Sequence, residues 1–374
     1  MTARRSPIRP ILRRPASVIR MPLPSDRRIL VVSDVHGNLP YLRALLEKAA
    51  FGAEDELIVA GDFLEKGPES LNTLRYLMEL TRRGNCHLLL GNCDSWNDIF
   101  VYPEEADEHI VSYILTKKVG LLWEMCNDAG IDPFDLTDFA AVKRELRRRY
   151  AAEWAFLEKL PHAIETDHYI FAHAAVRPGK SLRAHTASEL TRCDAFMNQG
   201  WHFDKWVIVG HWPVVLYGRD VVCANPIIDR SSRIISIDGG CVLKDDGQLN
   251  ALVIPFEGSE DFGLVAYDPF PLRTVKTAQA EGGRSYYIRW GDSRVQVLQR
   301  GEEFSRCRHV RTGYEMDILT KYLFTDAEFT DCNDCTDYVL PLEPGDAVSV
   351  VEETSRGCFV KHKGVSGWFF GELL

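Results

Sequence analysis

At 374 residues the chain is too long for one ordinary core, and its 45% hydrophobic and 26% charged residues are those of a globular, water-facing protein. No apolar run is long enough to span a bilayer. The net charge of −10 opposes a nucleic-acid-coating role, because phosphate contact rewards Lys and Arg. Ten cysteines without a framework spacing predict reduced thiols and a cytoplasmic location.

Residues 1–28 collect Arg4, Arg5, Arg9, Arg13, Arg14 and Arg20 among Pro and Ser. They lack the apolar centre of a secretory signal and are expected to be disordered. Met21 offers an alternative start. From Ile29 the pattern alternates between strand and helix. Ile29–Val32 is a continuous apolar run, as in a buried parallel strand, and delivers Ser33-Asp34-Val35-His36-Gly37-Asn38. In an extended chain Asp34 and His36 leave that strand on one side. A helix follows over 39–50. A strand over 56–60 leads into Gly61-Asp62, a helix spans 70–83, and a strand over 86–90 leads into Gly91-Asn92-Cys93-Asp94.

Residues 95–160, rich in Leu, Ala, Glu and Arg, read as two or three helices inserted over the sheet. Strands resume at 169–172 (into His173), 206–209 (into Gly210-His211), 234–237 (into Asp238) and 249–254. Beyond 256 the period shortens to β-like segments at 286–290, 295–298, 338–340 and 348–352. The expected domains are therefore a tail over 1–28, an α/β domain over 29–256, a linker or peripheral segment over 257–283 and a β-rich domain over 284–374.

Asp34, His36, Asp62, Asn92, His173 and His211 all stand at strand ends. Carboxylate and amide oxygens mixed with imidazoles suit Mn, Fe or Zn. Six donors exceed the need of one ion with an open position. They suit two ions sharing a carboxylate, a pair that acidifies water and binds both oxygens of an in-line phosphoryl displacement.

These blocks, with Gly61-Asp62-Phe63-Leu64-Glu65-Lys66-Gly67-Pro68, Phe171-Ala172-His173-Ala174 and Val209-Gly210-His211, resemble the signatures of calcineurin-like metallophosphoesterases. The nearest likeness is to bacterial serine/threonine protein phosphatases and symmetrical diadenosine tetraphosphate hydrolases. Ile237-Asp238-Gly239-Gly240-Cys241 resembles the closing strands of that group.

The resemblance implies a layered β-sheet sandwich flanked by helices. It implies two divalent metal ions, Mn before Fe or Zn. Asp34 and His36 would hold the first ion, Asp62 would bridge, and Asn92, His173 and His211 would hold the second. It also implies a phosphatase acting on phosphorylated protein, or alternatively on a dinucleoside polyphosphate. Cys93 stands where these phosphatases have a His proton donor, Glu65 where an Asp supports it, and Lys66 where an Arg binds phosphate. Asn92, rather than Cys93, is the expected ligand. A thiol of ordinary pKa about 8.5 is a poor substitute donor. Asp94 could assist the leaving group or cap a helix, and Arg177 is the second candidate phosphate contact. The lost donor also supports another alternative, a weakly active scaffold.

Residues 343–374, with Gly364-Val365-Ser366-Gly367-Trp368, resemble a bacterial SH3-type barrel, which implies a protein or peptide partner. Cys332 and Cys335 have zinc-ligand spacing without a second pair.

Overall fold

The strand Arg28–Val32 is buried on both faces, and its alternation shows what covers it. Ile29 and Val31 point into one core, and Leu30 and Val32 into another. That double burial is why the run lacks polar alternation. The computed structural model describes residues 14–96, 100, 107–326 and 329–374. Two compact units are present. The first holds the residues up to Pro213, Pro226–Leu243 and Gly247–Tyr267; the second holds Val214–Asn225, Lys244–Asp246 and Asp268–Leu374.

The strands of the first unit and the one short strand that interrupts it run, in chain order, as β1 Val18–Arg20, β2 Arg28–Val32, β3 Asp55–Ala60, β4 Cys86–Leu89, β5 Ala163–Glu165, β6 Tyr169–Ala172, β7 Trp206–Val209, β8 Val222–Cys223 (second unit), β9 Ile227–Asp229, β10 Ile234–Ser236, β11 Leu249–Ile254 and β12 Gly263–Tyr267. They form two mixed sheets, β12-β11-β2-β3-β4 and β1-β5-β6-β7-β10-β9. β2, β3 and β4 are parallel, as are β6, β7 and β10, so their C-terminal ends collect on one edge of each sheet.

The sheets pack through Ile29, Val31, Ile58 and Ala60 on one side and Phe171, Ile208 and Ile235 on the other. The outer face of the first sheet is covered by α1 Leu39–Lys48, α2 Ser70–Arg82 and the inserted helices α3 Asp107–Lys117, α4 Leu121–Ala129, α5 Phe139–Arg149 and α6 Ala151–Lys159. The outer face of the second sheet packs on residues of 175–203, among them α7 Ala187–Thr191. The expected layered α/β sandwich is therefore what the chain forms. The insertion holds four helices within 107–159, and its residues 97–99 and 101–106 lie outside the described residues.

Asn38 caps α1, its side chain accepting from the Tyr41 amide. No helix among the described residues is long and apolar enough to cross a membrane.

The second unit is all-β, as expected of the C-terminal region. Its further strands are β13 Leu272–Thr274, β14 Tyr287–Ile288, β15 Arg294–Gln299, β16 Phe304–His309, β17 Glu315–Leu319, β18 Leu323–Asp326, β19 Phe329–Cys332, β20 Cys335–Thr336, β21 Ala347–Glu353, β22 Cys358–His362 and β23 Val365–Phe369. β13-β21-β22-β23-β8 closes over Val348, Val360 and Phe369, and β17-β16-β15-β19-β18 over Val295, Cys307 and Ile318. β8 lies far from β23 in sequence, so the accessory core draws on residues inside the expected 29–256 domain. The segment expected as a linker contributes β12 to the first unit and β13 to the second. Residues 338–340 form no strand; Val339 makes an isolated bridge to Trp368.

The tail differs from expectation. Residues 1–13 lie outside the described residues, but β1 adds a parallel edge strand to β5. Hydrogen bonds join Ala16 N to His185 O at 2.9 Å, Ala187 N to Arg14 O at 2.9 Å, and His162 N to Ser17 O at 2.7 Å. A chain begun at Met21 should lose about 2–4 kcal/mol of stability, the net worth of several backbone hydrogen bonds. Urea denaturation of the full and shortened chains, followed by tryptophan fluorescence, measures it. Equal midpoints would show that β1 contributes nothing.

Candidate metal centre

The turns that end β2, β3 and β4 are held in place by hydrogen bonds to their backbones. The β2 turn lies on the β3 turn: Asp34 N donates to Gly61 O (3.0 Å), His36 N to Asp62 O (2.9 Å) and Gly37 N to Phe63 O (2.9 Å). Asp94, fully buried, accepts from Asp62 N at 2.6 Å, Leu64 N at 3.0 Å and Gly91 N at 2.8 Å. The β4 turn is thereby fastened to the β3 turn. Asp94 therefore serves three backbone donors. Gly91 is required by contact: a Cβ there would lie 2.1 Å from Asp62 Oδ1.

Asp34, His36, Asp62 and His211 all have positive φ, between 51° and 68°. The expected extended geometry of Asp34 and His36 is thus replaced by two left-handed residues. Such conformations cost of order 1–3 kcal/mol each and persist where the surroundings impose them.

The side chains converge. His36 Nε2 lies 3.7 Å from Asp34 Oδ1, and His173 Nε2 lies 3.3 Å from Asp62 Oδ1 and 3.1 Å from Asn92 Oδ1. With its amide turned over, Asn92 reaches His211 Nδ1 at 2.8 Å and the Thr191 carbonyl at 3.1 Å. The His173 and His211 rings stand edge to face, 5.0 Å apart. Among the described residues, two groups bring three donor atoms within 4.8 Å of one another: His36, Asp62 and Cys93, and Asp62, His173 and His211. Asp62 belongs to both.

The donor set fits divalent cations. His173 Nδ1 donates to the Ala60 carbonyl at 3.0 Å, and His36 Nδ1 faces the Leu64 carbonyl at 3.4 Å. Those bonds occupy each Nδ1 and leave each Nε2 facing the cluster, as in metal-ligating histidines. Asp34 Oδ1 is buried and has no hydrogen-bond partner.

Charge tells the same story. Burial, reinforced by Asp62, pushes the Asp34 carboxyl up to about 6. Burial and the Lys66 ammonium press His36 down to about 3, and burial and His173 do the same to His211. Burial opposes charge on His173, but Asp62 and Asp34 raise it to about 9. Burial likewise opposes ionisation of Asp62, yet His173 holds it well below the ordinary range. Buried carboxylates that repel one another are relieved by a cation among them.

Lys66 is beside the cluster, its Nζ 3.5 Å from His36 Nε2. Glu65 is taken up by other donors: Oε1 accepts from Trp96 Nε1 (2.7 Å) and Leu121 N (2.8 Å), and Oε2 from Tyr113 OH (2.8 Å). Gly120, at φ 96°, admits it, since a Cβ there would lie 2.2 Å from Glu65 Oε2. Glu65 thus anchors the inserted helices.

Arg177 is not brought to the cluster. Its Nε pairs with Glu189 Oε1 at 3.3 Å and its guanidinium lies over Trp201. Two residues without an assigned role at the sequence level belong here instead. Asp238, buried after β10, presents an Oδ2 without a hydrogen-bond partner, and burial followed by Asp34 pushes its carboxyl well up. Its signal was a further apolar strand ending in a carboxylate. Arg192, exposed at the end of α7, helps depress His211, and among the described residues its side chain has no ion-pair partner. No sequence feature separated Arg192 from other arginines. Cys332 and Cys335 bring their sulfurs to 3.9 Å, and no third donor joins them in the metal-competent groups of the described residues.

Replacing Asp94 by Ala should cost about 3 kcal/mol or more, because three buried N–H groups lose their acceptor. Chemical denaturation measures it. An unaltered midpoint with slowed turnover would place Asp94 in the chemistry instead.

Several comparisons bear on this site. A bis(5'-nucleosyl)-tetraphosphatase, symmetrical, of Ectopseudomonas mendocina is 31% identical over 173 residues, 45% of this chain and 53% of that protein. One from Buchnera aphidicola subsp. Schizaphis graminum is 41% identical over 97 residues, 25% and 34% of the two chains. The chain thus spans about half or less of the length of these curated relatives. A protein serine/threonine phosphatase structure from Saccharomyces cerevisiae aligns at 12% identity and a TM-score of 0.39, covering 70% of this chain and 87% of that one. The description of calcineurin-like phosphoesterases matches residues 27–230, more than half of the sequence and the span of every strand-end donor from Asp34 to His211. The chain belongs to the calcineurin-like phosphoesterase family.

Proposed function

We propose that the protein is a binuclear metal-dependent hydrolase of phosphate esters and anhydrides, and that phosphoanhydrides of the dinucleoside polyphosphate kind are its better substrates. The observation that carries the two-metal part is the membership of Asp62 in both donor groups. Asp34, His36 and Asp62 would hold one ion, and Asp62, Asn92, His173 and His211 the other. When bound, such a pair supplies positive charge at the attacking and leaving oxygens and acidifies water. Manganese, iron and zinc all suit mixed oxygen and imidazole donors.

The chain's own residues account for the rest. Lys66 brings an ammonium to the cluster, and carboxylates around it favour its charged form against the cost of burial. Arg192 brings a guanidinium to the His211 side, a group that can meet two phosphate oxygens at once. Asp94 holds the turns that aim Asp62 and Asn92. No imidazole follows Asn92, and burial, with Asp62 next, pushes the Cys93 thiol well above its ordinary range. General-acid help is typically worth about 10²–10⁴-fold. A phosphoanhydride or aryl leaving group departs without it, whereas a serine alkoxide does not. This favours the nucleotide alternative over the phosphoprotein one. The names of the curated relatives support the same choice.

Three outcomes follow. Asp62→Asn should lose bound metal by elemental analysis, and a wild-type metal content would sink the assignment. On a panel of diadenosine tetraphosphate, p-nitrophenyl phosphate and a phosphoserine peptide, kcat/KM should be at least about 100-fold lower on the peptide than on the other two. Arg192→Ala should raise KM for the tetraphosphate about tenfold, or ~1.4 kcal/mol, with the metal content unchanged. Efficient peptide hydrolysis would show that another group donates the proton.

A further inference from the structure

The position of the Cys93 thiol supports a role other than that of a weak proton donor. One donor atom each from Cys93, His36 and Asp62 lies within 4.8 Å of the other two. Bond lengths of about 2.0–2.3 Å to nitrogen, oxygen and sulfur place donors on a common ion within about 4.5 Å of one another. The backbone holds Cys93 there: its N–H donates to Asp62 Oδ1 at 2.8 Å. Its Sγ lies 3.3 Å from one end of the Asn92 side-chain amide, whose other end reaches His173 and His211, so the sulfur stands at the donor cluster. The other two members are also fixed, His36 through Leu64 and Asp62 through Asp94.

We infer that Cys93 is itself a ligand, the sulfur donor of the ion held by Asp34, His36 and Asp62. This rests on the two-metal reading above and deepens it. On coordination the S–H proton passes to solvent, a sulfur–metal bond forms, and no electron is transferred. A thiolate also adds a negative charge to offset a divalent ion beside Lys66. It makes this position softer than its oxygen and imidazole set alone and turns its preference from manganese toward zinc.

The test uses the full chain, stripped by a chelator and titrated with cobalt(II) without oxygen. Metal is counted by elemental analysis and the sulfur-to-cobalt charge-transfer absorption is recorded. Two cobalt ions should bind per chain and the band should appear. It should persist in a Cys332→Ser, Cys335→Ser variant and vanish in Cys93→Ser, with two ions still bound. Two ions bound without a band in the wild type, or a band that survives in Cys93→Ser, would overturn the sulfur ligand and leave the two-metal reading standing. Fewer than two ions in the wild type would overturn both. A second measurement needs no variant: iodoacetamide labelling of Cys93, followed by mass spectrometry, should slow on cobalt addition while labelling of Cys193 does not. Unchanged labelling of Cys93 would overturn the proposal.

Discussion

A single buried carboxylate holds the site in shape. Asp94 accepts from Asp62, Leu64 and Gly91, two turns on neighbouring strands. With the carboxylate in place, the β3 turn presents its carbonyls to the β2 turn, and Asp34, His36 and Gly37 donate to them. The donor side chains thus project from a mesh of backbone hydrogen bonds. That mesh allows four non-glycine residues to sit at positive φ, because the lost bonds would cost more than the strain they impose. Burial, with Asp62 beside it, pushes Asp94 up to about 8, and its bonds from the Gly91 and Leu64 amides oppose that rise.

The site is tied to the helical layer through Glu65, the neighbour of Lys66 in sequence. Its three bonds reach Trp96, α3 through Tyr113 and α4 through Leu121. Glu124 of α4 adds a second tie by accepting from Ser70 N and Leu71 N at the start of α2. Burial pushes Glu124 up to about 7. The helix N-terminus it caps favours its negative form. The inserted helices are therefore joined to the Lys66 turn by hydrogen bonds as well as by apolar packing.

Much of this architecture was legible in the chain. The runs 169–172, 206–209 and 249–254 are the strands β6, β7 and β11. The apolar runs are long enough, and their flanking glycines clear enough, that local physics decides. Asp34, His36, Asp62, Asn92, His173 and His211 were legible for the same reason: each is the polar residue that ends an apolar strand. β1 was not legible. Its Val-Ile-Arg sequence is too short to signal a strand, and only the edge of β5 supplies its hydrogen bonds. The accessory unit's use of β8 was equally hidden, since β8 is two residues long and its partner lies near the other end of the chain.

By itself, then, the sequence determined which residues are buried in strands and which donors those strands deliver. Periodicity and turn chemistry are local properties that a neighbour's position does not alter. Tertiary structure decided how the strands divide between two sheets, and which way Glu65, Arg177 and Arg192 point. Long charged side chains carry no local preference. Glu65 turns toward Trp96, Tyr113 and Leu121 because those groups arrive there with donors to satisfy, and Arg177 turns to Glu189 for the same reason. Arg192 stands at the end of α7, where its charge acts on His211 and no described carboxylate pairs with it. The placement of Cys93 beside His36 and Asp62 was decided in the same way, by the bond from the Cys93 N–H to the Asp62 carboxylate of a turn far away in the chain.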